Sequence, residues 1–212
     1  MTRGQQRAWD RNWDHLGADV LGLPGGPLDT AGWFGRIAPV VLEIGSGMGD
    51  STTSMAIGAP ELDHLAVELY QPGLAQLLLR IEQAGITNLR LLRGDAQTLL
   101  TEHVAPGSLH AVRIYFPDPW PKRRHHKRRL VSPAFVALVT SRLHPGATLH
   151  LATDWEPYAA QMRTACVGEP GLRNTAAAGG FAARPAWRPV TKFEQRARDE
   201  GRAVRDLLFV RI

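Results

Sequence analysis

The residues that could do chemistry recur at the ends of short apolar runs. Val40-Val41-Leu42-Glu43-Ile44 leads into Gly45-Ser46-Gly47-Met48-Gly49. Leu65-Ala66-Val67 stops at Glu68, and Leu89 to Leu92 stops near Gly94-Asp95. Ala111 to Phe116 is halted by Pro117-Asp118-Pro119, and Ala147 to Ala152 ends at Thr153-Asp154. One acid at the end of one such run is ordinary. A series of them at the same point is hard to ascribe to solvated loop charge. A glycine loop that receives a pyrophosphate reads G-x-G-x-x-G and opens onto a helix N-terminus. Here the third glycine, Gly49, comes one residue early, and Glu43 stands where a pyrophosphate would be repelled. A cationic ligand with a nucleoside part fits these residues better.

S-adenosylmethionine is such a ligand, with a sulfonium, an ammonium and a ribose. Glu43 favours its cationic end, and Gly45, Gly47 and Gly49 let backbone approach it closely. Glu68 accepts from the ribose hydroxyls and Asp95 from the adenine amino group. Glu68 alone does not discriminate, because nicotinamide enzymes place an acid there too. The target side is read from Phe116-Pro117-Asp118-Pro119-Trp120-Pro121. Its prolines stiffen the loop, and Phe116 or Trp120 can stack on a flat base. Residues 122–129 follow as Lys-Arg-Arg-His-His-Lys-Arg-Arg. The chain carries 25 basic and 20 acidic side chains, a net +5 concentrated in that internal run, so a phosphate-binding edge beside a pocket is expected.

The elements that must hold these residues alternate. Helices are expected from Asp50 to about Ala56, Gln71 to Ala84, Ala96 to His103, Ala134 to Leu143 and Glu156 to Val167. The second has Pro72 in its first turn, Leu74, Leu77, Leu78 and Ile81 on one stripe, and Gly85 at its end. Residues 168–189 read as a long loop, and Val204 to Ile212 as a closing strand. Strands that look buried on both faces, alternating with helices, argue a doubly wound, mostly parallel α/β sheet of about seven strands in a single domain. Ligands bind such sheets outside the strand C-termini. Residues 1–36 are expected to form an N-terminal helix and a covering loop, and 37–212 the main domain. Among 212 residues there is one cysteine, Cys166, which excludes an intrachain disulfide and fits a reducing compartment. No secretory signal or membrane-spanning run is read, so a cytoplasmic location is expected. The eight histidines show no ligand spacing beyond His125-His126, and no metal is expected.

Together these residues resemble the bacterial tRNA (guanine-N7)-methyltransferases, of the class I S-adenosylmethionine-dependent, Rossmann-like fold. The resemblance runs from about Val40 to Leu208. It rests on Phe116-Pro117-Asp118-Pro119-Trp120-Pro121-Lys122, Arg124-His125-His126-Lys127-Arg128-Arg129, Ala152-Thr153-Asp154 and Thr191-Lys192-Phe193-Glu194. It implies that Glu43, Glu68, Asp95 and Asp118 contact the cofactor and that Asp118 is also the active-site residue. It implies that Lys122, Asp154, Thr191, Lys192, Phe193 and Glu194 bind substrate and that Arg124 to Arg129 contact RNA. The expected target is a guanine at position 46 of the tRNA variable loop, in a monomer or homodimer needing no protein partner. Two departures stand out. The family usually has a longer basic arm before the segment matching Thr2 to Gln6, and an Arg-Gly pair where this chain has Arg196-Ala197. Two other readings remain open on the residues alone: transfer to an exocyclic amine, whose usual Asn/Asp-Pro-Pro-aromatic signature is not met here, and an RNA-binding module without transfer.

Overall fold

The computed structural model describes residues 1–177 and 179–212. Eight strands form one sheet: β1 (Gly17–Asp19), β2 (Val40–Ile44), β3 (Asp63–Glu68), β4 (Leu89–Arg93), β5 (Leu109–Tyr115), β6 (Leu143–Thr153), β7 (Leu172–Asn174) and β8 (Arg205–Arg211). Their order is β1-β4-β3-β2-β5-β6-β8-β7. All neighbours are parallel except the pairs made by β8 with β6 and β7. The chain builds outward from β2 to β3 and β4, then returns to lay β5 on the other side of β2. That reversal opens a crevice at the strand C-termini between β2 and β5, the favoured ligand position in such sheets.

The helices follow from the same apolar pattern. α3 (Asp50–Gly58) starts at Gly49, α4 spans Gln71–Ala84 and α1 spans Arg3–Leu16. Leu74, Leu77, Leu78 and Ile81 of α4 are buried with Leu89 and Leu91 of the sheet, and Ala8, Trp9 and Trp13 of α1 close that layer. Each such aliphatic contributes roughly 2 kcal/mol through burial. The opposite face is covered by α5 (Ala96–Glu102), α6 (Pro133–Arg142) and α7 (Glu156–Val167), packed on Leu42, Leu65, Val112 and Leu149. The short α2 (Thr30–Phe34) and the late α8 (Lys192–Asp199) complete the set.

The structure differs from these expectations in four details. The sheet has eight strands because two three-residue strands, β1 and β7, carry too few residues to show a period. β1 joins the first 36 residues to the sheet beside β4, so that segment is more than a helix and a covering loop. β7 lies inside the stretch 168–189 expected as loop, and β6 begins at Leu143, which was expected to end α6.

Candidate active site

The glycine loop is shaped by its neighbours. Gly45, Gly47 and Gly49 have φ of 81°, 55° and 79°, in the region that L side chains avoid. Gly45 donates to the Val67 carbonyl at 2.9 Å and Gly47 to Oε2 of Glu68 at 2.9 Å. A Cβ on Gly73, in the first turn of α4, would lie 2.3 Å from the Gly47 carbonyl oxygen. The loop is therefore held from below by β3 and from the side by α4.

Two lobes of one cleft open above it. The first, about 470 Å3, is lined by Glu43, Gly49, Asp50, Thr191, Lys192 and Arg196 among others. The second, about 620 Å3, is lined by Glu68, Asp95, Pro117, Asp118, Trp120 and Arg128 among others. Gly45, Gly47, Tyr70, Tyr115, Phe116 and Phe193 border both, so the lobes are continuous. Four strand-end acids, the three glycines, Thr191, Lys192 and Phe193 thus meet in one cleft.

The acids differ in circumstance. Glu43 is buried, and its Oε2 has no hydrogen-bond partner. Burial pushes its carboxyl up to about 7. The Glu68 carboxylate is fixed by backbone amides, taking Leu69 and Tyr70 at 2.7 and 2.9 Å besides Gly47. Asp95 caps α5, accepting from the Thr98 amide at 2.8 Å. Both keep oxygen lone pairs for a ligand while holding the backbone that frames it. Asp118 is exposed. It lies between Phe116 and Trp120, whose φ of 51° and 43° are left-handed although neither is glycine. Such backbone costs of order 1–3 kcal/mol per residue and is characteristic of functional loops. Phe193 stacks on Phe116 with centroids 6.0 Å apart, forming an aromatic wall beside Asp118.

Other expected residues lie at the edge of the cleft or apart from it. Lys122 and the run beyond it form a short 3-10 turn, Arg123–Arg128, at the edge of the second lobe. Lys122, Arg124, Lys127 and Arg128 are exposed, and His125 and His126 are half-buried. Arg128 lies over Trp120 and His125 meets its edge. Arg129 is a correction: it is buried, donates to the Pro119 carbonyl at 2.8 Å and to Gln161 at 2.6 Å, and covers Tyr158. It braces the loop from inside. Asp154 accepts from Arg202 at 2.9 Å. Glu194 is buried and accepts from Arg188 at 2.6 Å, with Arg198 also bound, so its carboxylate is turned away from the cleft. Sequence reasoning missed Tyr70, Tyr115 and Arg188. Tyr70 and Tyr115 follow the strand-end pattern, one two residues past Glu68 and one just before Phe116. Arg188 had no local signal.

The site can hold a cationic, flat-ended ligand. A buried carboxylate with an unpartnered oxygen, open space where Cβ atoms would stand on Gly45 and Gly47, and acids spaced along the crevice all fit S-adenosylmethionine.

A family model described as "Putative methyltransferase" matches residues 37–207. The tRNA (guanine-N(7)-)-methyltransferase of Streptomyces avermitilis is 49% identical over 212 residues, covering 100% of this chain and 72% of that protein. The enzyme of that name from Bordetella pertussis is 54% identical over 185 residues, 87% of this chain and 72% of its own. Among solved structures, the 16S rRNA methyltransferase KamB superposes with a TM-score of 0.58 at 15% identity, over 84% of this chain and 90% of its own. TrmN from Thermus thermophilus gives 0.58 at 18% identity, over 82% of this chain and 44% of its own. These two likenesses concern the fold alone. The family model spans most of the chain and the relatives are identical to it at about half of the aligned positions, so the chain belongs to the tRNA (guanine-N7)-methyltransferase family.

Proposed function

We propose that this protein transfers a methyl group from S-adenosylmethionine to N7 of a guanine in tRNA, at position 46 of the variable loop. The observation that carries the reading is the cleft itself. An exposed Asp118 in a strained, aromatic-walled loop adjoins a cation-seeking Glu43 lobe on one side and an exposed basic turn on the other. The activity for which the relatives are named supports the same reading. S-adenosylmethionine, when bound, supplies an electrophilic methyl on a sulfonium. Glu43 would hold its cationic end, Glu68 its ribose and Asp95 its adenine amino group.

Guanine N7 carries a lone pair and no proton, so the chain needs no general base. What its residues supply is orientation, which contributes up to on the order of 7–11 kcal/mol. Phe116 and Phe193 flank the base. Asp118 accepts from the base's N1–H and amino group, bonds that strengthen as the ring gains positive charge. Lys122, Arg124, Lys127 and Arg128 hold flanking phosphates, with His125 and His126 beside them. Asp154 and Glu194 act on this side by fixing Arg202 and α8. Among the described residues, no helix is long and apolar enough to cross a membrane.

The test is to incubate the protein with unmodified tRNA and S-adenosylmethionine, digest the RNA and identify methylated nucleosides by mass spectrometry. 7-Methylguanosine, absent with Asp118→Ala, is expected. A methylated exocyclic amine, or no cofactor binding at all, overturns the reading.

A further inference from the structure

One interior face of the sheet carries a row of polar side chains where aliphatics would be expected. Glu43, Arg113 and His150 are cross-strand partners on β2, β5 and β6, and Asp206 on β8 pairs two residues along from His150. All are buried. The segment before α8 lies across this row. Trp187 meets the edge of His150 at 5.0 Å, with Arg113 over its ring. Arg188 is 0% exposed. Its Nε and Nη2 donate to the two oxygens of Asp206 at 2.8 and 2.9 Å, and its Nη1 to Glu194 at 2.6 Å. With Asp206 ionised, His150 Nε2–H donates to Asp206 at 2.8 Å. Its Nδ1 then accepts from Tyr115 O–H at 2.9 Å. Tyr115 borders both lobes of the cleft.

The network therefore begins at the cleft wall and ends on α8. The two residues before Glu194 in that helix, Lys192 and Phe193, form the opposite wall. We infer that Arg188 is a positioning residue for methyl transfer: it pins α8 to β8 so that Phe193 stacks on Phe116 beside Asp118. A guanidinium suits this role because its planar fork serves one carboxylate with two donors and still reaches a second. A lysine keeps the charge but cannot hold both Asp206 and Glu194 in that geometry. Removing either partner leaves a buried charge unpaired, so the network is complete or costly.

The kinetic part of this role rests on the methyl-transfer reading above; the helix-docking part does not. The test uses the full chain with Arg188→Lys, and with Glu194→Gln as the milder, isosteric variant should the first fail to fold. Backbone hydrogen exchange across residues 192–199 is expected to quicken at least about tenfold, while β2 and β3 exchange as in the unsubstituted chain. kcat is expected to fall at least about tenfold, with KM for tRNA within about threefold because the basic turn is untouched. Unchanged exchange in α8 overturns the inference, as does loosened α8 with normal kcat. A uniform loss of protection across the sheet in both variants makes Arg188 a general stabiliser and overturns it too. If neither protein methylates tRNA but α8 loosens as expected, the docking role stands and the methyl-transfer reading fails.

Discussion

Glu43→Gln should make the cofactor-free protein more stable while weakening its hold on the cofactor. Burial raises Glu43 from its ordinary 4.5 to about 7. At about 1.4 kcal/mol for each tenfold change in acidity, keeping it ionised inside the fold costs about 3 kcal/mol above neutral pH. The sign follows from the raised value. The folded state binds this proton more tightly, so Glu43 makes the protein more stable as pH falls below about 7, down to about 4.5, and less stable above it. His64 works the other way, since burial holds it down to about 4 and stability is lost as pH falls below its ordinary 6.5. His150 is also pulled down by burial. These histidines are common to both proteins, so the difference between the variant and the unsubstituted chain isolates Glu43. Urea titration at pH 8 should find Glu43→Gln more stable by up to about 3 kcal/mol, roughly 6–12 °C in Tm for a chain of this size. The gap should narrow by about 1 kcal/mol at pH 6.5. Calorimetry should show S-adenosylmethionine binding weakened at least about tenfold, and S-adenosylhomocysteine, which lacks the sulfonium charge, weakened less. Equal stability at pH 8, or a gap that ignores pH, would refute the claim that Glu43 is a charge held at the fold's expense for a cationic ligand.

Other perturbations read other parts of the cleft. Asp118→Ala should lose nearly all transfer while its Tm stays within a few degrees, since Asp118 is exposed; normal turnover at matched folding would remove it from the mechanism. Gly73→Ala should destabilise by about 1–3 kcal/mol and weaken cofactor binding, because its Cβ would drive into the Gly47 carbonyl. Unchanged calorimetry would mean that α4 does not set the glycine loop. tRNA affinity should fall with salt on a log–log slope of about −3 if roughly four cations of the 122–128 turn meet phosphates. A slope near zero in a filter-binding titration would exclude that turn as a phosphate site.

The parts of this fold legible in the sequence are those governed by local periodicity. α4 begins and ends where stripe, Pro and Gly locate it, and α7 spans the residues expected of it. The strand-end acids could be read because a parallel sheet fixes where its ligands lie, whatever the detailed packing. β1 and β7 escaped because each gains its identity from a partner strand, not from three residues of its own. The left-handed turns at Phe116 and Trp120 were invisible for a different reason. Positive φ is normally signalled by glycine, and here tertiary context holds two aromatics there instead.

Charge was the least legible property, because a sequence gives the sign of a side chain but not its partner. Arg128 and Arg129 are neighbours of the same type, yet one is exposed beside Trp120 and the other is buried against Tyr158. Glu194 lies in a target-side segment, but its partner Arg188 is itself held by Asp206, 18 residues further along the chain. The same uncertainty has a physical resolution. A sheet built for stability alone would fill the face holding Glu43, Arg113, His150 and Asp206 with aliphatics, since even a satisfied buried ion pair rarely outperforms them. Three of these four are occupied by one another or by the segment leading to α8: Arg113 covers Trp187, and His150 and Asp206 are tied to Tyr115 and Arg188. Glu43 and Arg113 each keep an unpartnered polar atom, Oε2 and Nε, and of the two only Glu43 borders the cleft. Glu43 is thus the member of the row that a group from outside can reach, and its sign favours a cation there.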